Sequence, residues 1–269
     1  DGEGTRTFIG DDGKSINWCQ SDRIAIYDGY ALREFTIVEG SINGKSASFE
    51  GQIAADATTL TAIYPYDAAT LTEGALQLSA AEAQSLGEHS VADGALLSIA
   101  EFEKGAESFK FNNVMGFLRV NITKDDVSSI IVNGSNIAGL VEANGDGTIA
   151  EVVEGKTQVT LTPAGETFAI GTYYVALLPG TTPAGEFRMT FVRNGATALE
   201  MVAKKEISIP RNAGFNVEYA PATEKFVISD AATLEQFLSE AASLEEGTVV
   251  EVVNDIDLTG VTLTPATSF

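Results

Sequence analysis

From residue 1 to about residue 220 the chain runs in short stretches of alternating apolar and polar residues separated by Gly, Asn and Asp, and helical periodicity is nearly absent. A period of two places successive side chains on opposite faces, so each stretch reads as a strand with one buried face. The sharpest case is Phe187, Met189 and Phe191 alternating with Arg188, Thr190 and Val192, followed by Arg193, the pair Asn194-Gly195 and a second apolar run over residues 199–203. Asn-Gly tolerates the positive φ angles of a two-residue type I′ turn, so these runs predict an antiparallel hairpin. A second hairpin is read from residues 140–143, the turn Asn144-Gly145-Asp146-Gly147, and residues 148–153. Further strands are expected over residues 23–27, 35–38, 47–53, 60–64, 109–122, 129–132, 159–161, 173–178, 206–209 and 215–219.

Many short strands joined by turns argue for an all-β fold of sandwiches and against βαβ units. Within residues 109–122 the apolar face changes parity, from Phe109 and Phe111 to Leu118, Val120 and Ile122, which predicts a bulge near Asn112-Asn113 or Gly116. Residues 80–94, rich in Ala, Ser, Glu and Gly, read as a long crossing loop. A length of 269 residues suits two domains better than one. The boundaries fall near residue 105 and at Pro221-Ala222-Thr223-Glu224, giving sandwiches over 1–105 and 106–221 and a segment 222–269.

In that last segment the pattern changes. Leu234, Phe237, Leu238 and Ala241 have the spacing of an amphipathic helix, with Ser229 or Asp230 as N-cap and Gly247 past its end. Extended runs follow at 249–253 and 256–263, and the apolar residues Val250, Val252, Ile256 and Leu258 exceed what one helix can cover. The chain is therefore expected to continue past Phe269.

The charge balance is lopsided, with 38 Asp and Glu against 16 Lys and Arg for a net charge of −22. Affinity for nucleic-acid phosphates and for anionic lipid surfaces comes from Lys and Arg, so neither is an expected partner. No apolar run approaches the roughly 20 residues of a membrane span. The start at Asp1 among polar residues fits a removed signal or a trimmed boundary.

Little in the sequence carries chemistry. Cys19 is the one cysteine, which rules out an intrachain disulfide or a thiolate cluster, and Trp18 beside it suggests a buried strand position. His89 is the one histidine and reads as part of an exposed loop. No Gly-rich phosphate loop, His-Glu metal helix or nucleophile elbow occurs. Asp255 and Asp257 share a strand face but read as solvated carboxylates, and Asn144-Gly145-Asp146-Gly147 and Asp11-Asp12-Gly13-Lys14 read as turns, lacking the further ligands of a calcium loop. No catalytic, cofactor-binding or metal-ligating residue is assigned, no cofactor is expected, and the chain reads as a non-enzyme. Tyr27, Tyr30, Tyr64, Tyr66, Tyr173 and Tyr174 are the supply of rings for stacking on glycans, and strand alternation predicts that one of Tyr173 and Tyr174 points outward.

Several stretches together resemble the fimbrillin-like surface lipoproteins of Bacteroidales-type bacteria. They are Thr5-Arg6-Thr7-Phe8; Trp18 with Ser21-Asp22-Arg23-Ile24-Ala25-Ile26-Tyr27, where Ser21 stands in place of the usual Gly; Ala47-Ser48-Phe49-Glu50-Gly51; and Ala62-Ile63-Tyr64-Pro65-Tyr66. Phe109-Lys110-Phe111-Asn112-Asn113, and residues 173–179 with Gly180-Thr181, look like the family's second half. The resemblance implies two tandem transthyretin-like β-sandwich domains, export to the cell outer membrane, cell surface or fimbrium, and a non-catalytic role in adhesion or pili. It also implies membrane attachment only through an N-terminal lipid-bearing Cys absent from this chain. Its implied partners are other fimbrial subunits or host and bacterial surface ligands, protein or glycan, and in polymerising members a neighbour's donor strand fills an exposed groove. Asp255-Ile256-Asp257-Leu258-Thr259-Gly260 resembles the opening turn of a parallel β-helix, whose open end a helix such as that expected over 229–242 would cap. The alternative expectation is a surface carbohydrate-active protein whose catalytic or glycan-binding β-helix lies beyond residue 269.

Overall fold

Strands account for nearly all regular structure in the computed structural model, which describes residues 8–9, 16–219, 225–228, 230–240 and 249–252. The first half carries β1 (Phe8–Ile9), β2 (Ile16–Asn17), β3 (Arg23–Tyr27), β4 (Leu32–Ile37), β5 (Phe49–Glu50), β6 (Thr59–Tyr64), β7 (Ala69–Thr72), β8 (Ala75–Ala80), β9 (Ala83–Ser85) and β10 (Ser98–Glu103). The second carries β11 (Asn112–Asn113), β12 (Gly116–Ile122), β13 (Ser129–Ala143), β14 (Ile149–Thr162), β15 (Gly171–Leu177), β16 (Gly180–Thr182), β17 (Arg188–Arg193), β18 (Ala196–Val202), β19 (Ile207–Ile209) and β20 (Gly214–Tyr219). The C-terminal part holds β21 (Lys225–Ile228), the helix α1 (Ala231–Glu240) and β22 (Val249–Val252).

Three sheets build the larger part. One has the order β11-β10-β6-β3-β4-β5, a second β15-β12-β20, and a third β18-β17-β13-β14-β9 with the β7-β8 hairpin attached to β13. The second and third enclose a common core: Leu118, Val120 and Ile122 of β12 and Val175 and Leu177 of β15 belong to one cluster with Ile130, Val132, Leu161, Met189 and Phe191. Alternation along the first sheet divides its side chains between two cores. Ala25, Ile63 and Ile99 join that main cluster, while Ile24, Ile26, Ala62 and Tyr64 form a second one. Chain from both sides of residue 105 thus enters one sheet, because β8 and β9 pair with β13 and β14. The chain divides into two compact units, Asp1–Ala220 and Pro221–Phe269.

The Asn194-Gly195 hairpin forms as expected, with φ of +49° at Asn194 and +76° at Gly195 and Arg193 paired with Ala196. The second hairpin is longer than its sequence suggests. The separate runs at 129–132 and 140–143 are one 15-residue strand, β13, kept continuous by an irregularity between Asn133 and Ala138 and by positive φ at Asn136 and Gly139. A Cβ at Gly139 would meet the Glu154 carbonyl oxygen at 2.0 Å, so this close approach of two strands needs glycine.

Two expectations are corrected here. The parity change in residues 109–122 is no bulge: the chain leaves one sheet after β11 and enters another at β12, so Phe111 packs in the second cluster and Leu118 in the main one. Residues 80–94 are not all loop, since β9 lies there and Leu86, Val91 and Ala92 are buried.

In the C-terminal unit, α1 is preceded by Asp230, whose carboxylate accepts the Thr233 N–H at 2.9 Å while the Thr233 hydroxyl accepts the Asp230 N–H at 3.1 Å. This reciprocal cap meets the requirement for satisfied first-turn donors. The strands on either side of α1, β21 and β22, pair in parallel, from Lys225 with Val249 to Ile228 with Val252. Gly247, the run 256–263, and Asp255, Asp257 and Phe269 lie outside the described residues, as does the turn at Asp11-Asp12-Gly13-Lys14.

Candidate functional site

The strand β3 is held at both ends by buried carboxylates, and this positions the most distinctive surface of the molecule. At its start Asp22 accepts the Cys19 N–H at 2.7 Å and the Tyr64 hydroxyl at 2.9 Å. At its end Asp28 accepts the N–H groups of Tyr30 (3.0 Å), Ala31 (2.9 Å) and Ala54 (3.0 Å) and the Arg33 Nε at 2.8 Å. Burial alone would raise the pKa of Asp28; the hydrogen bonds from Ala31, Arg33, Ala54 and Tyr30 outweigh it and hold the carboxyl far below the ordinary range.

Between these anchors Ile24 and Ile26 face a groove of about 800 Å³, whose wall includes Trp18, Phe49, Phe102, Phe109 and Phe111. The rings pack on one another: Trp18 stands edge-on to Phe49 and to Tyr64, both at 5.1 Å, and Phe102 stacks on Phe109 at 4.1 Å. Trp18 is fixed further by its indole N–H, which donates to the Lys45 carbonyl at 3.1 Å. Residues 45–49, which run into β5, and residues 106–111 line the groove, and Phe117 of β12 and Tyr174 of β15 pack on the same cluster. The groove's floor and walls are largely aromatic and aliphatic, with Lys45, Glu107 and Lys110 also among its lining residues. Its sequence signal is the bunching of Phe102, Phe109 and Phe111, which strand reading alone treats as core.

A second concavity, of about 430 Å³, lies between residues 86–90 and 163–173. His89 lines it and is half-buried, not exposed as expected, because its loop folds back: the Tyr174 N–H donates to the Ser90 carbonyl at 2.8 Å.

The tyrosines are scattered. Tyr30 is 61% exposed and donates its hydroxyl to Asp56 at 2.8 Å, a bond that raises its pKa. Tyr27 is half-buried with its hydroxyl on the Gly29 carbonyl, Tyr64 is buried on Asp22, and Tyr66 lies under the Arg23 guanidinium at 5.1 Å. Tyr173 and Tyr174 do take opposite faces, but neither points freely outward. Both faces of β15 are covered, so Tyr173 packs on the main cluster and Tyr174 on the second. Burial pushes the Tyr173 phenol above its ordinary value, against the opposing hydrogen bond to Ala169.

Cys19 and Trp18 lie between β2 and β3 and are half-buried, so the expected buried strand position is replaced by a turn closed by the Asp22 N–H on the Cys19 carbonyl at 3.0 Å. In the loop after β13 the Asp146 carboxylate is turned inward onto the Thr148 N–H (2.9 Å) and hydroxyl (2.6 Å). Among the described residues no group of three or more His, Cys, Asp or Glu side chains could hold a metal ion.

No family model and no curated protein matches the chain. Among solved structures, a candidate cell adhesion protein from Bacteroides uniformis is similar at a TM-score of 0.50 and 16% identity, covering 82% of this chain and 95% of that one. One from Bacteroides ovatus gives 0.48 and 16%, covering 80% and 90%. The fimbrial anchor protein of Porphyromonas gingivalis gives 0.32 and 13%, covering 75% and 80%. At these identities, the likeness to the first is one of fold.

Proposed function

We propose that the chain is a non-catalytic cell-surface adhesion or fimbrial component, which acts by binding and turns over no substrate. The observation that carries this reading is the fold shared with the Bacteroides uniformis protein over 95% of that protein's length. The ordered sequence stretches from Thr5 to Thr181 that resemble fimbrillin-like lipoproteins support it independently.

In this reading residues 1–105 and 106–221 are tandem transthyretin-like sandwiches, residues 222–269 open a β-helix, and the protein is exported and held at the outer membrane by a lipid. Its partners are other fimbrial subunits or surface ligands. The aromatic groove beside β3 is where an extended apolar segment of a fimbrial neighbour would seat. The test is adhesion of beads coated with the purified chain to host mucus and to bacterial cells, together with co-sedimentation with fimbrial subunits. Coated beads should bind above albumin-coated controls; binding at the control level, with no co-sedimentation, refutes the proposal.

A further inference from the structure

The groove beside β3 is built like one half of a hydrophobic core. Its floor is aliphatic and closed: Ile24, Ile26, Leu60 and Leu96 are each at most 5% exposed. Its wall is an unbroken row of rings, Phe49 on Trp18 at 5.1 Å, Trp18 on Phe111 at 5.7 Å, Phe111 on Phe109 at 5.3 Å and Phe109 on Phe102 at 4.1 Å. All five rings are only half-buried, although large apolar side chains are the ones a fold ordinarily covers most completely. A contiguous apolar surface left open in this way marks a place where something binds. The row is elongated and the space before it is about 800 Å³, within the ~300–1,000 Å³ range of small-molecule sites, so an elongated apolar ligand fits it.

Charge gives that ligand a polar end. Acids outnumber bases 38 to 16 in the chain, and Arg23, Arg33, Lys156, Arg188 and Arg193 each sit in an ion pair. Lys45 and Lys110, both exposed and both in the lining of the groove, are in no ion pair among the described residues. They are attached at the same stretch of the row: the Lys45 carbonyl holds the Trp18 indole at 3.1 Å, and Lys110 precedes Phe111, which packs on Trp18. Glu107 is the one carboxylate among the described residues of the lining, so the two ammonium groups outnumber it. Two unpaired cations beside an apolar row, in a chain that is otherwise strongly anionic, suit an anionic group on a long apolar body.

We infer that the groove binds an elongated apolar carboxylate of the fatty-acid type, with its carboxylate at Lys45 and Lys110 and its chain along the rings towards Phe102. The inference goes beyond the adhesion reading and is measured without it, although a ligand here would exclude the neighbour's segment assigned to the same groove. Trp18 is the only tryptophan and stands in the row, so its emission reports the groove without ambiguity in the intact chain. The probes are dodecanoate, octanoate and dodecyltrimethylammonium, each kept below the concentration at which it forms micelles.

Dodecanoate should change the Trp18 emission saturably. Octanoate should bind about tenfold more weakly or worse, since each methylene it lacks is worth up to about fourfold. Dodecyltrimethylammonium, which a net charge of −22 favours in any unspecific binding, should bind about fivefold more weakly than dodecanoate or worse. The double variant Lys45→Gln, Lys110→Gln should weaken dodecanoate by about threefold or more, and Glu107→Gln should tighten it, a gain that a damaged fold cannot give. All three positions are exposed, so the variants leave the packing intact. No saturable change with dodecanoate, octanoate or the cation bound as tightly as dodecanoate, or full affinity in the double lysine variant overturns the inference. A Trp18 response to fimbrial subunits but not to dodecanoate gives the groove to a neighbour's segment and likewise overturns it. Beads that adhere while dodecanoate leaves Trp18 unmoved keep the adhesion reading and refute the ligand. A saturable dodecanoate response with beads that do not adhere does the reverse.

Discussion

Asp28 is the residue whose loss should reach furthest through the first sheet. Its side chain is fully buried and divides its four hydrogen bonds evenly: Oδ1 accepts from Tyr30 and Ala31, and Oδ2 accepts from Arg33 and Ala54. Asp28→Asn keeps the shape but not the pattern. With the amide oxygen toward the turn, its NH2 confronts the donors of Arg33 and Ala54; flipped, it confronts those of Tyr30 and Ala31. Two charge-assisted bonds are lost in either orientation, at about 1.5–3 kcal/mol each, so the variant should be destabilised by about 3–5 kcal/mol. At ~2–4 °C per kcal/mol for a chain of this size, the melting temperature should fall by roughly 6–20 °C.

The same carboxylate sets a pH dependence. Its folded pKa lies below the unfolded value of about 3.9, so its stabilisation is fully present above that value and is lost as pH falls through the folded pKa. Thermal and urea melts followed by circular dichroism and by the fluorescence of Trp18, the only tryptophan, should show the wild-type advantage over Asp28→Asn constant from pH 7 to about pH 5 and shrinking below about pH 4. A melting temperature within ~2 °C of wild type at pH 7, or a gap of unchanged size down to pH 3, refutes the reasoning.

Other substitutions test the joints between sheets. The buried Gln84 amide donates to the Ala176 carbonyl at 2.7 Å and accepts the Ala176 N–H at 3.0 Å, so Gln84→Leu strands two buried groups and should cost about 3 kcal/mol in urea unfolding. A Cβ at Gly214 would lie 1.6 Å from the Phe117 carbonyl oxygen, so Gly214→Ala should force β20 away from β12 and lower stability by at least ~1–3 kcal/mol, with faster amide exchange along both strands. Chelator treatment should leave the melting temperature within ~1 °C, and a larger drop would reveal a structural metal.

Local signals in the sequence were legible where turn chemistry or alternation acts alone. Asn194-Gly195 sets its hairpin through two positive φ angles that few other pairs adopt, and the β3 run over Arg23–Tyr27 was bounded to the residue. The helix start at Asp230 follows likewise from a local cap. What was not legible depends on partners distant in sequence. β9 reads as loop because Ala83-Gln84-Ser85 has no strand propensity of its own; it is extended because the far end of β14 offers a parallel edge. One of Tyr173 and Tyr174 reads as outward because alternation tells which residues face apart, never how many layers cover them.

Residues 109–122 shape the groove through the same dependence on distant partners. A parity change has two physical solutions, an extra residue within one strand or a passage of the chain between sheets. Asn113 selects the second: its amide donates to the Met115 carbonyl at 2.7 Å and to the Asn212 side chain at 2.9 Å, and its carbonyl accepts the Met115 N–H at 3.1 Å. Those bonds satisfy the backbone at the crossing, so pairing with β10 can stop and pairing with β15 and β20 can begin. The passage leaves Phe109 and Phe111 behind on the second cluster, against Trp18 and Phe102, beside the edge strand β11 of the first sheet. The aromatic groove beside β3 is thus a direct consequence of where one chain segment changes sheets.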